Sequence, residues 1–90
     1  MVIMSKSVKM MILETCPYCK QAFQMMDELK AKHPEYKNVD IDIIEESKEP
    51  EKIEGYEYWF VPTFFVGDQK ILEGIPTIDN VEKVFQEALK

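Results

Sequence analysis

The chain has 90 residues, of which 46% are hydrophobic and 11% are aromatic. This length corresponds to one domain, residues 1–90, and this composition excludes an intrinsically disordered chain. Seventeen acidic residues against eleven basic ones give a formal net charge of −6 at pH 7, which argues against a nucleic-acid partner because phosphate binding requires a basic patch.

The apolar stretch at the start of the chain is too short for a secretory signal. Residues 1–4 are apolar, whereas the core of a signal peptide needs about 7–15 such residues. No stretch approaches the roughly 20 apolar residues that cross a membrane. We therefore expect a cytoplasmic protein with no membrane partner, and we expect it to be a monomer. In the cytoplasm, two cysteines favour redox chemistry over a structural disulfide.

The first third of the chain predicts a strand followed by a helix. Residues 8–13 are a nearly continuous apolar run, which is typical of a strand buried on both faces of a sheet. Pro17 suits the first position of a helix, and Pro34 ends that helix at or before His33. The inward side of the helix is formed by residues at helical spacing: Cys19, Ala22, Phe23, Met26 and Leu29.

The middle of the chain predicts a second strand and a short helix. Val39, Ile41 and Ile43 alternate with two aspartates, which indicates a half-buried strand. Residues 47–54 predict a short acidic helix that ends at Gly55, in the role of a C-terminal cap.

The last third predicts a hairpin and a covering helix. Gly67 and Asp68 lie between the apolar segments 63–66 and 69–72, which is the signal of a two-residue hairpin. Thr77 is the predicted N-cap of an amphipathic helix. The whole order is strand, helix, strand, helix, strand, strand, helix, which predicts an α/β domain.

The most informative motif is Cys16-Pro17-Tyr18-Cys19, at the junction of the first strand and the first helix. A Cys-x-x-Cys near a βαβ pattern is typical of a redox site. We expect the sulfur of Cys16, at the N-cap, to accept hydrogen bonds from the N–H groups of Tyr18 and Cys19, which favours the thiolate. Cys16 is therefore the predicted nucleophile and Cys19 the resolving thiol, and the two form the redox-active disulfide.

Two structural interpretations of the cysteines are less favoured. A zinc site requires four ligands, and His33 is the one further typical candidate, so we expect no metal. Two inert buried thiols are disfavoured because Pro17 places Cys16 at a helix start and not in a core.

Pro62 precedes the third predicted strand, and a proline is tolerated as the first residue of a strand. The Val61–Pro62 bond is either an ordinary trans bond or a cis bond that directs the backbone of Val61 toward a thiol substrate. The residues themselves leave both possibilities open.

On these motifs the chain resembles the glutaredoxin family. Cys16-Pro17-Tyr18-Cys19 matches the dithiol signature of that family, and Val61-Pro62 matches its cis-proline segment. The resemblance implies a thioredoxin-like (glutaredoxin) βαβαββα fold, with a four-stranded mixed sheet flanked by three helices and a cis Val61–Pro62 bond.

The resemblance also implies a function. It predicts a glutathione-dependent thiol–disulfide oxidoreductase whose partners are glutathione, as electron donor, and disulfide-containing or glutathionylated proteins. By the same resemblance, glutathione would contact Tyr18, Val61 and Pro62, and its γ-glutamyl end would lie at Thr77 and Asp79.

Two other functions stay open. Leu13, Phe60 and Glu73 depart from the family's usual basic residue, threonine and glycine, and glutathione is anionic. These departures favour a glutaredoxin-like redoxin that is reduced by a thioredoxin-reductase-type flavoenzyme. A scaffold for an iron–sulfur cluster between two chains is disfavoured by Pro17 and Tyr18 within a dithiol motif.

Tyr56, Tyr58, Trp59 and Phe60 crowd one connection that leads to Val61 and Pro62. They form either a small core under the active-site loop or an apolar platform beside Cys16 for a protein substrate.

Overall fold

The computed structural model describes residues 6–90, so the apolar residues 1–4 considered for a signal peptide lie outside it. Four strands are present: β1 (Val8–Ile12), β2 (Ile41–Glu45), β3 (Thr63–Val66) and β4 (Gln69–Glu73). Two α-helices accompany them: α1 (Pro17–Lys32) and α2 (Ile78–Ala88). Neither of these helices combines the length and the apolar character that a membrane crossing requires.

The strands form one mixed sheet in the order β2-β1-β3-β4. β1 pairs in parallel with β2 and antiparallel with β3, and β3 pairs antiparallel with β4 through the predicted turn at Gly67 and Asp68. Gly67 has a φ of 59°, which the hairpin turn requires and which a side chain disfavours. The predicted four-stranded mixed sheet is therefore confirmed.

Both α-helices contribute to one core on one face of the sheet. Side chains of β1 and β3, among them Met10 and Phe64, pack there with Cys19 of α1 and Phe85 of α2. α1 ends where Pro34 predicts, because His33 is its C-cap and donates its backbone N–H to the carbonyl of Leu29 at 2.8 Å. The core therefore holds together β1 and α1, the two elements between which the cysteine motif begins.

The predicted helix over residues 47–54 is wrong. The structure has one turn of 3₁₀ helix there, Pro50–Ile53, so the sheet is accompanied by two α-helices and not by three. The reason is local, since a proline disfavours the α conformation of the preceding residue, and Glu49 has φ −129° and ψ 57°. Gly55 then ends the segment with a φ of 88°.

A second, smaller core covers the opposite face of the sheet. Met11, Ile44 and Phe65 form it, and Tyr56 and Tyr58 pack against it. The alternation in β2 differs from the prediction at one point, because Ile43 is 43% exposed and Ile44 is fully buried. β2 lies at the edge of the sheet, where Ile44 shares a register pair with Met11 on the second face.

Candidate active site

Cys16 lies at the N-cap of α1, four residues after β1 ends at Ile12. Its backbone is extended, with φ −84° and ψ 116°, and Pro17 begins the helix. The N–H of Cys16 donates to the carbonyl of Leu13 at 3.0 Å, which forms the tight turn between strand and helix. The position predicted for the nucleophile is therefore the position observed.

The surroundings of the Cys16 sulfur differ from the prediction. The Cys16 side chain accepts no capping hydrogen bond from the start of α1 within the described structure. The thiol instead donates to the carbonyl oxygen of Val61, with a sulfur–oxygen distance of 3.6 Å. A thiol is a weak donor and a weak acceptor, so packing against the neighbouring loop decides its direction. The expected hydrogen bonds from Tyr18 and Cys19 to the sulfur are thus not formed.

Cys19 lies one turn further along α1 and is buried, with 2% of its surface exposed, whereas Cys16 is half-buried. Burial, together with a smaller contribution from the adjacent Cys16, raises the pKa of the Cys19 thiol to about 12. Cys19 therefore keeps its proton at neutral pH, as expected of a thiol that reacts second. Both cysteines are free in this structure.

The Val61–Pro62 peptide bond is cis, the isomer that the resemblance implied. Pro62 is buried, while Val61 is half-buried beside Cys16. Two residues that are distant in the sequence, Cys16 and Val61, therefore form one site.

A groove of about 570 Å³ opens next to this pair of residues. Two of the predicted glutathione-binding residues, Tyr18 and Val61, are part of its lining. Thr77 and Asp79 are not, and the Thr77 hydroxyl accepts the backbone N–H of Asn80 at 3.1 Å as the N-cap of α2. The remaining lining residues are Phe60, Glu73, Gly74 and Ile75.

The four aromatic residues before Val61 divide into two pairs, one packed in the second core and the other exposed to solvent. Tyr56 and Tyr58 pack edge-on against Phe65 in the second core, with ring centroids 4.8 Å and 6.5 Å from it. Trp59 and Phe60 point outward, and 89% and 68% of their surfaces are exposed. The sequence alone does not distinguish the pairs, because their direction depends on how the loop is held.

Glu73, at the end of β4, holds that loop. Its carboxylate accepts the backbone N–H groups of Trp59 and of Phe60, the latter at 3.0 Å, and it pairs with Lys70 at 2.8 Å. The hydrogen bond from Lys70 and those from the two N–H groups lower the pKa of Glu73 to about 2. Glu73 is therefore anionic at neutral pH, a role that sequence patterning did not indicate.

No lysine lines the groove among the described residues, and the chain has no arginine. Within residues 6–90 there is also no group of three or more histidine, cysteine, aspartate or glutamate side chains that could hold a metal ion. Cys16 and Cys19 are the two thiols that this arrangement brings to the site.

Comparison with known proteins shows the family to which the sequence is similar. A family model described as a thioredoxin domain matches residues 6–86. The comparison with curated proteins returned no match.

Solved structures with a similar fold include three that cover most of the chain. A malarial protein shares 12% identity at a TM-score of 0.67, covering 96% of this chain and 99% of its own. A thioredoxin-like protein from Clostridium perfringens shares 20% identity at a TM-score of 0.67, with coverages of 93% and 71%. Reduced desulfothioredoxin from Desulfovibrio vulgaris Hildenborough shares 23% identity at a TM-score of 0.64, covering 92% of this chain and 81% of its own. At these identities the likeness concerns the fold.

Proposed function

The chain belongs to the thioredoxin-domain family, and on that premise we propose that it is a thiol–disulfide oxidoreductase acting through Cys16 and Cys19. The observation that carries the proposal is the contrast between the two thiols. Cys16 is accessible at a helix N-cap beside Val61, and Cys19 is buried one turn further along the helix. A nucleophile that substrate reaches and a protected second thiol are the two parts that dithiol exchange requires.

The reaction runs in two exchange steps. The Cys16 thiolate attacks one sulfur of the substrate disulfide, the substrate S–S bond breaks, and the released substrate thiolate takes up a proton. Cys19 then loses its proton and attacks the sulfur of Cys16, which releases the second substrate thiol. Two electrons have passed from the dithiol to the substrate, and the Cys16–Cys19 disulfide remains to be reduced.

The N-terminus of α1 supports the first step. Cys16 is the N-cap of this helix, so a thiolate formed there would lie at the partially positive end of the helix dipole. The Val61 carbonyl that now accepts the thiol proton is released when Cys16 ionises, since a thiolate cannot donate to it.

Glutathione is the electron donor that the glutaredoxin resemblance favours, and Tyr18, Val61 and Pro62 would contact it. Thr77 and Asp79 remain proposed contacts for its γ-glutamyl end. Tyr18 and Val61 already share the groove beside Cys16, which supports this assignment. Both the glutaredoxin subtype and glutathione dependence are proposals.

A thioredoxin-reductase-type flavoenzyme is the second candidate donor. The observation that favours it is the charge of the groove, which contains the anionic Glu73 and no lysine among its described lining residues. Glutathione carries two carboxylates, and like charges at close range repel each other. A flavoenzyme docks through protein surface and does not need a cation in the groove.

Two coupled assays separate the donors, with NADPH oxidation as the readout. One contains glutathione and glutathione reductase, and the other contains thioredoxin reductase, each with the same disulfide-containing protein as substrate. Turnover in the first assay supports glutathione, and turnover in the second assay alone supports the flavoenzyme. The Cys16→Ser variant is the control for both. Disulfide reduction that persists in this variant would contradict the role proposed for Cys16.

A further inference from the structure

The loop that precedes β3 is held by hydrogen bonds on both of its sides. Glu73 accepts the N–H groups of Trp59 and Phe60, and the Thr63 hydroxyl donates to the carbonyl of Phe60. The N–H of Gly74 donates to the carbonyl of Pro62 at 2.9 Å. The backbone on either side of Val61 is thus fixed to the end of β4.

The fixed backbone keeps two large apolar side chains in solvent. Trp59 and Phe60 are 89% and 68% exposed, although burying a large apolar side chain stabilises a protein. A loop without these hydrogen bonds would be free to lay either ring on nearby apolar surface. The exposure of the pair is therefore a property of the hydrogen-bonded loop.

Glu73 is well suited to hold this loop. A carboxylate forms stronger hydrogen bonds to backbone N–H groups than a neutral acceptor does, and Lys70 balances its charge at 2.8 Å. The next residue, Gly74, has a φ of 89° and lies against the Cβ of Phe60. The end of β4 therefore lies close to Phe60.

The exposed pair is continuous with the candidate active site. Phe60 lines the same groove as Tyr18 and Val61, and Val61 contacts the sulfur of Cys16. Ile75, which lines the same groove, is also largely exposed. A substrate whose disulfide reaches Cys16 would place the residues that flank its cysteine on these apolar side chains.

Building on the proposed reductase function, we propose that Glu73 is a positioning residue. It holds Trp59 and Phe60 as an aromatic docking pair for a protein substrate that carries apolar residues next to its disulfide. Aromatic side chains in fixed positions provide large contact area at small cost in conformational entropy, which suits them to this role. The substrate class is thus an extended polypeptide with apolar residues flanking the half-cystine.

The test compares Glu73→Gln with the matched variant Glu87→Gln. Glu87 also pairs with a lysine three residues away at 2.8 Å, and the two side chains are 20% and 22% exposed. Glu87 lies in α2 and holds no part of the loop. Both variants remove one carboxylate charge from a lysine pair. Because Glu73 also lines the groove, comparing two peptides of equal charge separates the hydrogen bonds to Trp59 and Phe60 from the loss of charge in the groove.

The substrates are two synthetic disulfide-linked peptides that differ only beside the cysteine, one with Leu-Phe and the other with Ser-Gly. Dithiothreitol supplies the electrons, so the result does not depend on the physiological donor. Steady-state kinetics give KM and kcat for each peptide. Trp59 is the one tryptophan of the chain, and its fluorescence anisotropy measures the mobility of the loop directly.

We expect the wild-type protein to prefer the apolar peptide. In Glu73→Gln the KM for that peptide should rise about tenfold, the size expected when strong hydrogen bonds that orient a docking group are lost. The KM for the polar peptide and the kcat for both peptides should stay within about twofold of the wild-type values, because a change of that size is smaller than the loss of a binding contact. The Trp59 anisotropy should fall in Glu73→Gln and not in Glu87→Gln.

Phe60→Ser provides an independent variant that leaves the carboxylate in place, and it should also lose the preference for the apolar peptide. An equal rise of KM for both peptides, or an unchanged preference in both Glu73→Gln and Phe60→Ser, would overturn this inference alone. Failure of the wild-type protein to reduce either peptide would overturn the proposed function together with it.

Discussion

The two cysteines of the motif are three positions apart in the sequence, yet their surroundings differ strongly. Cys16 is half-buried at a helix N-cap, with its sulfur on the Val61 carbonyl, and Cys19 is 2% exposed. Substrate can therefore reach one sulfur and not the other. This asymmetry assigns attack to Cys16 and resolution to Cys19 within the proposed reaction.

Serine replacements should separate these two roles. Cys16→Ser should abolish the reduction of every disulfide, because no accessible thiol remains in the site. Cys19→Ser should still form a mixed disulfide with a small substrate such as bis(2-hydroxyethyl) disulfide, and mass spectrometry detects the trapped adduct. It should fail to complete the reduction of a protein disulfide. Equal loss of adduct formation in both variants would show that the roles are not divided in this way.

The raised pKa of Cys19 also makes stability depend on pH. Burial raises this pKa from an ordinary 9.0 to about 12, so between these values the folded protein retains a proton that the unfolded chain releases. The stabilisation is complete below pH 9 and is lost as the pH rises toward 12. The free energy of unfolding, measured with urea under reducing conditions, should therefore fall between about pH 9 and pH 11.

Cys19→Ala is the control for this measurement. Burial also raises the pKa of Tyr36 to about 12 and raises the pKa of Tyr58, so the wild-type slope contains further contributions above the ordinary pKa of tyrosine, which Cys19→Ala leaves in place. The variant keeps Tyr36 and removes only the thiol, and its slope should be shallower than that of the wild type. Identical slopes in the two proteins would mean that the Cys19 thiol titrates alike in the folded and unfolded states.

Among the secondary-structure elements, α2 depends on one side chain for its first turn. The Thr77 oxygen accepts the N–H of Asn80 at 3.1 Å, and the helix buries Val81, Val84 and Phe85 against the sheet. Thr77→Ala should lower the free energy of unfolding by about 1 kcal/mol, the usual value of an N-cap. Thr77→Ser keeps the capping oxygen and should stay close to the wild type in the same urea denaturation. A loss of similar size in both variants would point to packing of the threonine methyl group.

At the scale of the whole molecule, the acidic surface should influence which substrates are reduced fastest. Seventeen acidic and eleven basic residues give a net charge of −6, and charge of one sign steers oppositely charged partners during diffusion. We expect kcat/KM for a lysine-rich disulfide peptide to fall as salt rises, because the Debye length shrinks to about 8 Å at 0.15 M. For a glutamate-rich peptide of the same length, kcat/KM should rise as salt rises. Parallel salt responses for the two peptides would exclude steering by net charge.

The features that the sequence determined by itself are those with a local cause. Pro17 and Pro34 bound α1, Gly67 and Asp68 make the hairpin turn, and Thr77 caps α2. In each case one residue restricts its own backbone or supplies a hydrogen bond within a few positions, so the sequence alone contains the reason. Pro50 carries a local signal of the same kind against the helix predicted over residues 47–54.

Only the tertiary structure decided the details of the site. The Cys16 sulfur contacts the carbonyl of Val61, which lies 45 positions away in the sequence. The Glu73 carboxylate, which holds the aromatic loop, lies 14 positions after Trp59 and 13 after Phe60. Trp59 and Phe60 are exposed while the neighbouring Tyr56 and Tyr58 are packed on Phe65. These contacts join elements that only the sheet order brings together, and hydrophobicity patterns record which residues favour burial but not which partner each one meets.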